Sequence, residues 1–297
     1  MNDSLAIQTS GLTKSYGQFL AVDSLNLAVP KSRITAFLGP NGAGKSTTIK
    51  MLLGMIRPTT GDAAVLGHTI SNPSETTRLR ERIAYVAEDK PLYGYMTVEQ
   101  LIRFTSRFYS DWRSDEARRL LVEYRLPAGK KVRSLSKGMR TKLALLLAFA
   151  RRPEILILDE PSEGLDPIGI EELLHALVSH AAAGVTVFFS SHQLAEVERI
   201  ADHVCILNHG RLQLSAPIDD LRQSYRRLDF VFEAVPSARE LAVPGIERIR
   251  LSGRQMTILT SRNADEVIRR ARDLSATSVE VSPVALREIF LETVKEN

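Results

Sequence analysis

The chain has 297 residues, 44% of them hydrophobic and 25% charged. That balance supports a packed core in one large domain or two smaller ones. It excludes an intrinsically disordered or collagen-like chain, and a single cysteine, Cys205, excludes an intrachain disulfide framework and permits a reducing compartment. The 39 Lys and Arg against 35 Asp and Glu leave a net charge of +4, too small to mark a nucleic-acid binder by itself.

The most apolar run, LALLLAFA at residues 143–150, is eight residues long and bounded by Lys142 and Arg151. A membrane-spanning helix needs about 20. The opening MNDSLAIQTSG has an early acid and no cationic region ahead of an apolar run, so no secretory signal is expected. The chain is expected to stay where it is made and to meet a membrane only through a partner.

Leu5, Ile7 and Thr9 alternate with polar neighbours, and residues 21–29 (AVDSLNLAV) do the same, so both stretches predict strands. Residues 33–38 (RITAFL) read as a buried strand running into Gly39, and residues 47–55 as a helix stopped near Arg57-Pro58. From Pro91 to about Arg152 the pattern is helical. Thr97 opens a capping box with Gln100, a helix runs through Phe108, and another covers residues 115–124. Residues 100–160 hold 14 Lys and Arg against 7 Asp and Glu, which reads as a solvated basic face rather than a nucleic-acid site.

Residues 155–158 (ILIL) and 185–189 (VTVFF) are continuous apolar runs, as in parallel strands covered on both faces. Residues 205–214 read as a hairpin turning at His209-Gly210. Beyond about residue 220 the texture changes to a small α+β appendage. Its strands are expected at 230–235, 247–251, 256–260 and 278–281, and its helices at 264–274, capped by Asn263, and 284–294. It carries no glycine-rich loop or catalytic constellation and reads as a packing or dimer-stabilising domain.

Gly39-Pro40-Asn41-Gly42-Ala43-Gly44-Lys45-Ser46 matches G-x-x-x-x-G-K-[ST], after a predicted strand and before a predicted helix. Glycines let backbone N–H groups turn inward around phosphates, and the helix N-terminus adds partial positive charge. Lys45 can reach the β- and γ-phosphates, and Ser46 can supply oxygen to Mg²⁺. Asp159 and Glu160 close the apolar strand at 155–158, where a sheet delivers side chains to a ligand crevice. Asp159 suits Mg²⁺; Glu160, on the other side of the strand, can polarise a water in line with the γ-phosphate. Together these motifs point to a nucleoside triphosphatase of unspecified kind.

Five further elements narrow the kind, and with them residues 5–220 resemble the ATP-binding cassette (ABC) transporter ATPase family. Leu135-Ser136-Lys137-Gly138-Met139, with Ser136 standing 23 residues before Asp159, looks like the LSGGQ signature. Asp166 in Gly164-Leu165-Asp166 looks like the D-loop, and His192 in Ser190-Ser191-His192 like the switch histidine. Tyr16 occupies the place of the adenine-stacking aromatic, and Glu88 that of the Q-loop residue.

The resemblance implies a fold and a mechanism. The fold is α/β: an ABC-type P-loop cassette over 1–220, with an N-terminal antiparallel β subdomain and a helical signature subdomain at about 91–150, followed by a small α+β domain over 221–297. Two chains would pair head to tail around two ATP-Mg²⁺, the helix behind Ser136 meeting the nucleotide held by its twin. Residues 39–47, including Thr47, would bind nucleotide; Ser46, Asp159 and Glu88 would hold the metal. Glu160 and His192 would be catalytic, and Asp166 would link the two sites.

Two departures stand out: Lys137 and Met139 replace the usual Gly and Gln, and Glu88 replaces glutamine. Lys137 is expected in solvent, the alternative being phosphate. Both departures, and Leu286 to Glu292 near the C-terminus, resemble the branch serving bacterial drug, antibiotic or polysaccharide exporters. The expectation is therefore a homodimer or heterodimer, cytoplasmic and peripheral on the inner membrane face, coupled through its 91–109 region to separate multi-spanning permease subunits, with no direct nucleic-acid contact. The runner-up is a soluble cassette ATPase acting on ribosomes or DNA; a P-loop kinase leaves the signature, Asp166 and His192 unexplained.

Overall fold

The computed structural model describes residues 4–234, 236–237 and 240–295. The chain divides into two compact units, Met1–Ser215 and Ala216–Asn297.

The first unit opens with β1 (Leu5–Tyr16), β2 (Phe19–Leu25) and β3 (Ala28–Pro30). Residues 21–29, expected as one strand, form parts of two, with the break at Asn26-Leu27, just past the left-handed Ser24 (φ 48°) that still belongs to β2. Thr9 bridges the break: its hydroxyl donates to the Leu25 carbonyl at 2.7 Å and accepts from the Leu27 N–H at 2.7 Å. The buried strand β4 (Ile34–Leu38) then feeds α1 (Lys45–Leu52). That helix starts and ends earlier than expected. It ends where Gly54, at φ 62°, donates to the Met51 carbonyl and Met55 donates to that of Lys50, both at 2.9 Å. This is a glycine-terminated helix end, and it closes the helix before Met55.

β5 (Thr60–Val65) and β6 (His68–Thr69) complete an antiparallel sheet in the order β2-β1-β5-β6, with β3 also paired to β1. α2 (Pro73–Arg82) and β7 (Ile83–Val86) lead to the helical segment, α3 (Val98–Ser106), α4 (Ser114–Glu123) and α5 (Lys137–Phe149). The capping box of α3 forms both ways: the Thr97 N–H donates to Gln100 Oε1 at 2.9 Å, and the Gln100 N–H to Thr97 Oγ1 at 3.2 Å.

β8 (Ile155–Asp159), α6 (Pro167–Ala182), β9 (Thr186–Ser191), α7 (Leu194–Ile200), β10 (His203–Asn208) and β11 (Arg211–Pro217) follow. They build the second sheet, in the order β11-β10-β4-β9-β8-β7, with parallel pairing from β10 to β7. β8 and β9 are buried throughout, as their apolar runs imply. Phe37 of β4 and Phe188 of β9 pack with their tilted rings 5.2 Å apart, and fully buried Cys205 has its thiol pushed up to about 12 by burial.

The second unit holds α8 (Ile218–Ser224), β12 (Arg226–Phe232), β13 (Ile246–Ser252), β14 (Gln255–Thr260), α9 (Ala264–Asp273), β15 (Ala276–Pro283) and α10 (Leu286–Thr293). Its sheet is antiparallel, in the order β13-β14-β12-β15. β12 begins earlier than the strand expected at 230–235, because the alternation starts at buried Leu228 between Arg227 and Asp229; Val235 lies outside the described residues. Leu228, Phe230 and Phe232 pack with Val267 and Ala271 of α9. Asn263 precedes α9 without capping it: it sits at φ 60°, and its amide donates to the Pro244 carbonyl at 2.9 Å.

Candidate functional site

Strand register gathers the site. Leu38 of β4 lies opposite Ser191 of β9, and Asp159 of β8 opposite Ser190, so three parallel strands end on one edge. From that edge come the 39–46 loop, the Asp159-Glu160 pair and His192. The loop turns into α1 at Gly44, with φ 104°. A Cβ there would sit 2.4 Å from the Ala21 carbonyl oxygen, so only glycine fits.

Lys45 folds back over its own loop and donates to the carbonyls of Gly39 at 2.7 Å and Pro40 at 3.3 Å. Its ammonium lies 3.9 Å from Glu160 Oε1, and both side chains are buried. Burial pushes the Lys45 ammonium below the ordinary lysine value, against the opposite pull of Glu160, Asp159 and Glu88. Glu160 Oε2 lies 2.8 Å from His192 Nδ1, and the His192 ring is half exposed. The catalytic candidates Glu160 and His192 are therefore in direct contact beside the lysine.

Ser190 fixes both acids. Its buried hydroxyl donates to Asp159 Oδ1 at 2.5 Å and accepts from the Glu160 N–H at 2.9 Å. Glu160 itself is held in the left-handed region, at φ 47°. A cleft of about 480 Å³ opens above this group, lined by Phe19, residues 41–47, Glu88, Glu160, Glu163 and His192. A contiguous cleft of about 680 Å³ brings Ser46, Glu88 and Asp159 together with Lys90 and Lys137. A hydroxyl with two carboxylates is the hard oxygen set that suits Mg²⁺, which usually takes one or two carboxylates and shares substrate phosphates. No group of three His, Cys, Asp or Glu among the described residues could by itself hold a metal.

Tyr16 does not line the cleft; Phe19, its cross-strand partner at the end of the β1–β2 hairpin, does. Lys137 is exposed, as expected, and pairs there with Glu163 at 2.5 Å. Asp166 is a local helix cap, accepting from the Gly169 N–H at 2.9 Å at the start of α6. Ser136 does cap α5, accepting from the Met139 N–H at 3.2 Å, and is exposed while Leu135 is buried. Neither Leu135 nor Ser136 lines the P-loop cleft of its own chain. Gly138 packs so closely on the next loop that a Cβ would lie 2.7 Å from the Gly164 carbonyl oxygen.

Sequence reasoning missed Ser190, Lys90, Glu163 and Phe19 as members of the site. Ser190 had a readable signal, a hydroxyl at the end of an apolar strand beside the histidine. Lys90 had none, since a lysine after two acids reads as surface. It is buried, its ammonium donating to the Glu88 carbonyl at 2.9 Å, and burial pushes it below the ordinary lysine value.

A glycine loop on a helix N-terminus, a lysine within it and carboxylates at the neighbouring strand ends together accommodate a nucleotide's phosphates. That places the chain among the P-loop nucleoside triphosphatases. The family profile described as ABC transporter matches residues 22–163. The chain is 38% identical over 230 residues to the bacitracin transport ATP-binding protein BcrA of Bacillus licheniformis, covering 75% of this chain and 74% of that one. It is 33% identical over 255 residues to the Nod factor export ATP-binding protein I of Ralstonia nicotianae, covering 83% and 79%. The solved structure of an ATP-binding subunit of an ABC transporter superposes with a TM-score of 0.67 at 32% identity, over 73% of this chain and 92% of that one. The chain belongs to the ATP-binding proteins of ABC transporters. It is an ATP-binding, ATP-hydrolysing subunit with the cassette fold.

Proposed function

We propose that two copies of this chain close head to tail over two ATP molecules and drive an exporter whose membrane-spanning subunits are separate chains. The observation that carries the catalytic half is the contact chain Lys45–Glu160–His192, at 3.9 Å and 2.8 Å beneath the glycine loop. In this reading residues 39–47 bind the triphosphate, with Lys45 leaving its own carbonyls for the β- and γ-oxygens. Ser46, Asp159 and Glu88 hold Mg²⁺, which when bound neutralises phosphate charge. Glu160 accepts a proton from the attacking water, and His192 keeps that carboxylate oriented. The Ser136 helix end and Gly138 of one chain meet the γ-phosphate held by the other, while Asp166 sits at the contact between the sites.

Export follows the names of the relatives, which concern bacitracin, an antibiotic, and Nod factor. No helix among the described residues is long and apolar enough to cross a membrane. In this reading the spanning part belongs to partner subunits, and this chain sits against the inner face of the membrane. An exposed aromatic run supports docking there. Tyr93 packs 5.9 Å from Tyr95 and 5.6 Å from Phe104, and Phe104 packs 5.0 Å from Phe108. Tyr95 and Phe108 are 66% and 64% exposed, more apolar ring than a solvated helix face keeps in water without a partner.

Glu160→Gln tests the catalytic reading. The variant binds ATP with near-native affinity and turns over at least 100-fold more slowly. Wild-type hydrolysis by Glu160→Gln overturns the assignment.

A further inference from the structure

Glu160 bears the reactive carboxylate on a backbone that L residues rarely adopt, φ 47°. Such a conformation costs about 1–3 kcal/mol and persists only when its surroundings hold it. On the N–H side the holder is Ser190, at 2.9 Å. On the carbonyl side it is Lys90, whose ammonium lies 3.5 Å from the Glu160 carbonyl oxygen and donates to the Glu88 carbonyl at 2.9 Å. Lys90 is itself at φ 44° and only 7% exposed. Burying an ammonium is costly unless it is paired or hydrogen-bonded, so its placement between two main-chain carbonyls is a specific one. Its surroundings carry charge of both signs: Glu88, Asp159 and Glu163 attract it, and Lys137 repels it.

We propose that Lys90 is a positioning residue that ties the Glu88 loop to the peptide carrying Glu160. A shift of the Glu88 segment then moves the ammonium, and with it the carbonyl that fixes the direction of the Glu160 side chain. The ammonium of Lys90 is spent on main-chain carbonyls, and it acts through Glu160. The inference rests on the reading of Glu160 as the carboxylate that activates water.

Lys90→Met keeps the volume and removes the donor. Steady-state ATPase should show kcat lowered about tenfold or more with KM for ATP within about twofold, because the glycine loop is untouched. Lys90→Cys should be equally slow, and treatment with 2-bromoethylamine, which rebuilds an ammonium of the same chain length, should restore most of kcat. Cys205 is fully buried, so the native protein offers the reagent no competing thiol. Restoration separates a donor role from simple loss of packing and remains readable even if Lys90→Met folds poorly. Wild-type kcat in Lys90→Met, a parallel loss of ATP affinity, or no recovery after alkylation overturns the inference. Glu160→Gln run alongside keeps the two claims apart. If it hydrolyses normally, the catalytic reading fails; if it is inactive while Lys90→Met is normal, only the role of Lys90 fails.

Discussion

Ser190→Ala removes one oxygen and strips two partners at once. The hydroxyl donates to a carboxylate, Asp159 Oδ1, at 2.5 Å and accepts from the Glu160 N–H at 2.9 Å, in a site with no solvent exposure at Ser190. A hydrogen bond to a charged group is worth about 1.5–3 kcal/mol, and a buried N–H left unpaired costs about 1–3 kcal/mol. Allowing for relaxation, the expected loss is about 2–4 kcal/mol. For a unit of this size each kcal/mol moves Tm by about 2–4 °C, so the expected fall is about 4–16 °C. Turnover should drop about tenfold, because Asp159 and Glu160 lose the group that sets their spacing, while ATP affinity stays within about threefold. Differential scanning calorimetry and steady-state ATPase measure both effects. Ser191→Ala is the control, since its hydroxyl accepts only from the Gln193 N–H among the bonds described. If Ser190→Ala matches the wild type in Tm and kcat, the hydroxyl does not organise the acids and the reasoning fails.

Gly138→Ala places a methyl 2.7 Å from the Gly164 carbonyl, so the start of α5 must move off the neighbouring loop. ATP binding to the single chain should persist while hydrolysis falls at least tenfold, read by fluorescent-nucleotide titration beside turnover; equal activity would show the close approach to be dispensable. Glu88→Gln should bind ATP normally and alter turnover and its Mg²⁺ dependence, and no change in either would remove Glu88 from the site. Glu154 has its carboxyl held below the usual carboxylate value by hydrogen bonds from Arg82, at 2.5 Å and 2.7 Å. Its folded pKa is depressed, so its stabilisation is present above the unfolded carboxylate value and is lost as pH falls through the folded value. Glu154→Gln should lower stability at pH 7 by less than about 1 kcal/mol, since the pair is substantially exposed, and the Tm difference should shrink as the pH is lowered into the acid range. A pH-independent difference would rule out the ion pair as its source.

The phosphate cradle was legible because its chemistry demands fixed residues at fixed spacing, and the parallel strands were legible because burial on both faces writes a continuous apolar run. Thr97 and Gln100 announced their helix for a similar reason: the cap is a local, two-residue device. What escaped was decided by backbone conformation and tertiary contact. Residues 21–29 alternate correctly, yet the chain leaves β2 after Leu25 and pairs with β1 again only from Ala28. Tyr16 and Phe19 flank the same two-residue turn, and only the pairing of β1 with β2 decides which ring borders the cleft. Lys137 and Glu163 are 26 residues apart and meet only because Gly138 lets two loops touch. Lys90 is a charge that sequence patterning sends to the surface and that tertiary structure buries between carbonyls.

The central claim is that hydrolysis needs two chains, each completing the other's site. Multi-angle light scattering of Glu160→Gln, with and without ATP and Mg²⁺, tests it directly. The account predicts the mass of one 33.0 kDa chain without nucleotide and of two with it, the shift being abolished by adding Gly138→Ala. A protein that stays monomeric with ATP bound, while the wild type hydrolyses at a rate independent of its concentration, would contradict it.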